Sequence, residues 1–108
     1  MQTIVQVVCS RGKSLRDLIV NDSKLSRFNL AVYKKQQPGR PRGWAKVYGT
    51  APERRGALNV QWHADTRMMV CRVINRRSGR PGPILGDFIA YLFSRHHHRI
   101  KSVNIIPN

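Results

Sequence analysis

A chain of 108 residues with 20 Lys and Arg against 5 Asp and Glu carries a formal charge of +15, and self-repulsion on that scale weakens a compact monomer unless a polyanion cancels it. The length suits one domain spanning residues 1–108, able to bury roughly two-thirds of the surface its unfolded chain exposes. It contains no apolar run of the roughly 20 residues needed to cross a bilayer, and its two cysteines, Cys9 and Cys71, lie inside strand-like apolar runs, which argues against a disulfide framework or a metal site.

Met1 to Cys9 is rich in Ile and Val over strand length and predicts a first strand, closed by the turn residues Arg11-Gly12-Lys13. The stretch is too short for a secretory signal and has no basic segment ahead of its apolar residues, so the expected location is cytoplasmic. Ser14 stands three residues before Asp17, and Leu15, Leu18 and Ile19 recur at helical spacing, predicting a short helix to about Asn21. Arg27 to Lys35 places Phe28, Leu30 and Val32 on one side, and Gly43 to Gly49 resumes as a strand after the loop Gln36 to Arg42, giving a hairpin with a long basic tip. Ala57 to His63 alternates Leu58, Val60 and Trp62 against Asn59, Gln61 and His63. After the turn Ala64-Asp65-Thr66, the run Met68 to Ile74 is apolar on both sides, as befits a central strand. Gly79-Arg80-Pro81-Gly82 breaks the chain. Pro83 suits the first position of a helix, and Ile84, Leu85, Phe88, Ile89 and Leu92 form its apolar stripe out to about Arg99. Ile100 to Ile106 closes as a last strand before Pro107. The order β-α-β-β-β-β-α-β predicts an α+β fold: a single mixed β-sheet of about six strands, two helices packed on one face, and parallel pairing across the helical crossovers.

The cations concentrate in connections: Lys34, Lys35, Arg40 and Arg42 about the first hairpin loop, Arg54 and Arg55 in the next, and Arg76, Arg77 and Arg80 in the third. If these loops meet at one sheet edge they make a footprint for a phosphate backbone, with arginine favoured because its planar fork binds phosphate bidentately. Trp44, Lys46 and Tyr48 alternate on one strand and share a face, an arrangement suited to stacking unpaired bases if Ala45 and Val47 face the helices; core burial of the two rings is the opposing reading. The open face would then be shared with Asn59, Gln61, His63 and Arg72. Gly39-Arg40-Pro41 and Gly79-Arg80-Pro81 resemble the heart of the AT-hook, which lays arginine into the minor groove of AT-rich DNA, although Pro38 and Ser78 stand where that motif has a preceding arginine. The element order resembles in part that of the RNA-recognition motif, whose aromatic-basic consensus is absent.

These features point to a nucleic-acid-binding module, for DNA or RNA, with no cofactor and no membrane partner. A metal-dependent nuclease is disfavoured because Asp17, Asp22, Glu53, Asp65 and Asp87 are scattered without paired spacing. His96, His97 and His98 point about 100° apart on a helix and do not make one metal site, so no metal ligands are assigned; one of them is expected to be packed and the others wet. Two other readings stand. One is a metal-free, toxin-like ribonuclease using His63 and a helix-end histidine such as His97 as base and acid; the other is a basic subunit docking on an acidic protein or on itself as a homodimer.

Overall fold

The computed structural model describes residues 3–74 and 82–107. Strands β1 (Thr3–Cys9), β2 (Leu30–Lys34), β3 (Trp44–Gly49), β4 (Ala57–His63), β5 (Met68–Ile74) and β6 (Ile100–Ile106) form one sheet in the order β2-β3-β4-β5-β1-β6. Helices α1 (Leu15–Val20) and α2 (Pro83–His96) complete the expected α+β order. None of the helices among the described residues is long and apolar enough to cross a membrane.

Every neighbouring pair in the sheet is antiparallel, where a mixed sheet was expected. The reason is the position of β1. It inserts between β5 and β6, pairing Val5 with Cys71 on one side and with Ile105 on the other. The two strands joined by α2 therefore run in the same direction without touching. Likewise α1 carries the chain from β1 to β2 at the far edge, so its crossover makes no parallel pair. As expected from its apolar run, β5 is interior to the sheet.

One face of the sheet carries the core. Val5 and Val7 of β1, Val47 of β3, Leu58 and Val60 of β4, and Met69, Cys71 and Val73 of β5 are almost fully buried, and join Leu15 and Ile19 of α1 and Ile84, Phe88, Tyr91 and Leu92 of α2 in one cluster. Both helices thus lie on the same face. Each large aliphatic or Phe side chain buried there contributes about 1.5–3 kcal/mol.

Local chemistry explains the ends of the elements. Ser14 caps α1 by accepting the Asp17 N–H at 3.3 Å, as its spacing implied. Pro83 opens α2 after Gly82, whose φ of 70° suits glycine. The strand expected from Arg27 begins only at Leu30, because Leu25–Phe28 forms a 3-10 turn and Asn29 takes a left-handed φ of 60°. Asparagine tolerates that conformation better than most residues. Phe28 is turned inward and meets Tyr91 edge to face at 5.5 Å.

Candidate functional site

Strand alternation sends Ala45 and Val47 toward the helices and Lys46 and Tyr48 to the opposite, helix-free face. The register carries that face across the sheet: Lys46 pairs with Asn59, Asn59 with Arg72, and Arg72 with Ile4, while Gln61 pairs with both Trp44 and Val70. His63 closes the row opposite Met68 and is exposed. The open face is thus built from β1, β3, β4 and β5, with amide and cationic side chains at its centre.

An arm formed by residues 35–43 folds back toward this face. Its roots are held by Arg16 of α1, which donates from Nε to the Trp44 carbonyl at 3.0 Å, to the Lys35 carbonyl through a short hydrogen bond, and to Asp17 at 2.8 Å. Gly43 completes the attachment. Its carbonyl accepts the Trp62 N–H, and a Cβ there would stand 2.5 Å from the Trp62 carbonyl oxygen, so only glycine fits. Arg40 donates its backbone N–H to Gln37, so the Gly-Arg-Pro that resembles an AT-hook is a turn, not the extended strand of that motif.

The turn sets the Arg40 guanidinium 5.3 Å from the centre of the Trp44 ring, a cation–π distance. Trp44 is 2% exposed, yet it does not belong to the main core cluster. The sequence posed surface against core; the ring is neither, being buried beneath the arm on the far side of the sheet. It therefore offers no open stacking surface. Between Arg40 and Pro41 above and Asn59, Gln61, His63 and Arg72 below lies a cleft of about 490 Å³. Arg42 is exposed and lines a separate hollow within the arm.

The available aromatic surface is at the β2 edge. Tyr48 is 37% exposed and Tyr33 59%, with ring centres 5.8 Å apart and edge to face; Lys46 Nζ lies 5.6 Å from the Tyr33 ring. Tyr33 was absent from the sequence-based site. Its signal was the alternation of β2, in which Leu30 turns inward and Tyr33 outward, completed by a register shift between Val32 and Lys34 that brings it beside Tyr48.

The basic loops do not meet at one edge. The arm and the end of β4 lie at one end of the sheet, whereas Arg54 and Arg55 follow Gly49 at the other, where the 3-10 turn Pro52–Arg54 leads into Ala57. From β2 to β5 each strand reverses the last, so the connections between them fall at alternating ends. Arg76, Arg77, Gly79 and Arg80 lie outside the described residues. The carboxylates also segregate: Asp17 and Asp87 are on the helices, Asp22 follows α1, Glu53 is in the 3-10 turn and Asp65 in the β4–β5 turn. None stands on a strand of the open face.

His63 and His97 are not brought together. His97 opens the 3-10 turn His97–Arg99 on the helical side before β6, three strand positions from β4, which is about 14 Å at a spacing of ~4.8 Å. His96 is the packed histidine, while His97 and His98 are exposed. The Tyr91 hydroxyl donates to Asp22 Oδ2 at 2.8 Å and so accepts from His96 Nε2 at 2.9 Å, which calls for a proton on Nε2. Arg95 donates twice more to Asp22, at 3.2 Å each.

Burial lowers the His96 pKa below its ordinary 6.5, although Asp22 opposes the shift. Burial also works to raise the Asp22 pKa, but hydrogen bonds from Arg95, Lys24 and Tyr91 outweigh it and hold the group at about 2, against 3.8. Both shifts mean that the unfolded chain takes up protons more readily than the folded one, so stability falls on acidification. The His96 loss begins as the pH drops through 6.5, and the Asp22 loss follows between about 4 and 2. Thermal melts from pH 7.5 to 5 should show a declining Tm, and His96→Gln should flatten that decline.

No model of a known protein family, no curated protein and no solved structure matches this chain.

Proposed function

We propose that the chain is a polyanion-binding α+β module whose working surface is the helix-free face of its sheet. The polyanion is nucleic acid, held by phosphate contacts from Arg40 and Arg42 on the arm and Arg72 and Lys46 on the face, with Tyr33 and Tyr48 available to unpaired bases. The observation that carries this reading is the segregation of charge: on a chain of +15, the open face holds cations and amides while the carboxylates lie on the helices, in turns or beside α1. An extended anion meets attraction on that face without local repulsion. Aromatic rings beside the cations favour nucleic acid over an acidic polypeptide, because stacking on a base contributes about 1–3 kcal/mol and an Asp or Glu side chain has no ring to stack. In this reading the chain works in the cytoplasm, where its free, buried thiols Cys9 and Cys71 stay reduced.

Binding of a labelled oligonucleotide across a salt series tests the proposal. Log K should fall with log salt by about 0.7 per phosphate contacted on a single strand and about 0.9 on duplex DNA. Arg40→Glu combined with Arg42→Glu should weaken binding for all base sequences and make the single-strand slope shallower by about 1.4. Equal competition by poly-glutamate would move the assignment to an acidic protein partner. A salt-independent or absent signal would remove it.

A further inference from the structure

The cleft beneath the arm has features that general attraction for phosphate leaves unexplained. Its floor carries two amides, Asn59 and Gln61, two residues apart on one strand and so side by side on one face. Asn59 Oδ1 is buried without a hydrogen-bond partner. Its direct cross-strand neighbours, Lys46 and Arg72, are both cations. Such an acceptor normally has a partner when buried, and because Asn59 itself lines the cleft, a turn of its side-chain amide presents this oxygen to a ligand there. Trp44 Nε1, on the same face and covered by Arg40, is a second buried polar atom without a partner.

Resting on the nucleic-acid reading above, we propose that this cleft receives one unpaired nucleotide of a single strand. The base lies on Asn59 and Gln61 beneath Pro41, donating an exocyclic amino or imide N–H to Asn59 Oδ1, and the flanking phosphates meet Arg40 and Arg72. The volume of about 490 Å³ falls within the range of sites that enclose small ligands. It has room for a nucleotide, whereas a duplex presents its base edges only within grooves ~6 to 12 Å wide, which amides lying on a strand do not enter. The amides supply the directional contacts that specify a base, and the arginines the contacts that position the strand. The chain is therefore selective for unpaired nucleic acid, and the chemistry of the base and phosphate is shared by DNA and RNA.

The test compares, by fluorescence anisotropy at two salt concentrations, 12-mers of single-stranded DNA and RNA, the matching DNA duplex, and an abasic single strand with the same phosphates. With the exposed rings removed in a Tyr33→Ala, Tyr48→Ala background, the protein should bind base-bearing single strands about tenfold or more tighter than the abasic strand, in line with the contribution of one base held by directional hydrogen bonds. Asn59→Ala with Gln61→Ala should reduce that ratio to about one. A difference between the DNA and RNA arms identifies which strand the cleft takes. Salt-dependent binding that is equal for base-bearing and abasic strands overturns the cleft proposal and leaves the polyanion reading intact. Absence of salt-dependent binding to any strand overturns both. The abasic comparison in the tyrosine-free background stands even if the amide double variant fails to fold.

Discussion

Trp44→Ala should lower stability by about 3 kcal/mol, the low end of the ~3–5 range for truncating a large buried aromatic. The ring is 2% exposed, so its removal takes nearly all of a large apolar surface out of its shelter. The low end is expected because one side of that shelter is a loop, the arm carrying Arg40, which collapses into the space more readily than a packed core. In a domain of this size the Tm should drop by well over 10 °C, since each kcal/mol shifts it by roughly 4–8 °C. Trp44→Phe should cost markedly less, because it keeps a ring under Arg40 and removes the unpartnered Nε1–H. Tyr48→Ala, on a side chain 37% exposed, should barely move the melt. A Trp44→Ala protein that melts within a degree or two of the parent would show that the arm does not cover the ring.

Asp22→Ala is the second large effect, at about 3 kcal/mol. The side chain is 5% exposed, and its carboxylate accepts from Tyr91 Oη, from Arg95 twice and from the Lys24 backbone N–H. Truncation leaves the Tyr91 hydroxyl, on a residue with no solvent exposure, without its acceptor, and unmet buried groups are costly. Arg95 softens the loss because it is 42% exposed and turns to water. Tyr91→Phe should lose less than Asp22→Ala, since the carboxylate keeps Arg95. Chemical denaturation of the two variants checks the order; equal loss in both would mean that the tyrosine hydroxyl, not the Arg95 pair, dominates the cluster.

The order of elements was legible because hydrophobic periodicity is a local property. Alternation in Ala57–His63 identified which side chains share a face, and it placed Asn59, Gln61 and His63 together as observed. The same rule applied to Gly43–Gly49 placed Lys46 and Tyr48 outward, as the structure has them. It failed at Arg27–Phe28, where a left-handed Asn29 delays the strand. It was also silent about Trp44. Periodicity assigns a side chain to a face but not what later folds over that face, and an arm anchored by Arg16, some twenty residues away in sequence, does the covering.

By itself, then, the sequence determined the net charge, the α+β class, the capping of α1 by Ser14 and the inward and outward residues of β4 and of Ala45–Tyr48 in β3, because these depend on composition and on neighbours a few positions apart. Tertiary structure alone decided that β1 inserts between β5 and β6 to make the sheet antiparallel throughout. It also decided that the arm and Arg55 lie at opposite ends, and that Tyr91 meets Asp22 across 69 positions of chain. Each of these is a choice among contacts distant in sequence, settled by which pairing buries the apolar faces and satisfies the polar groups of the whole chain at once.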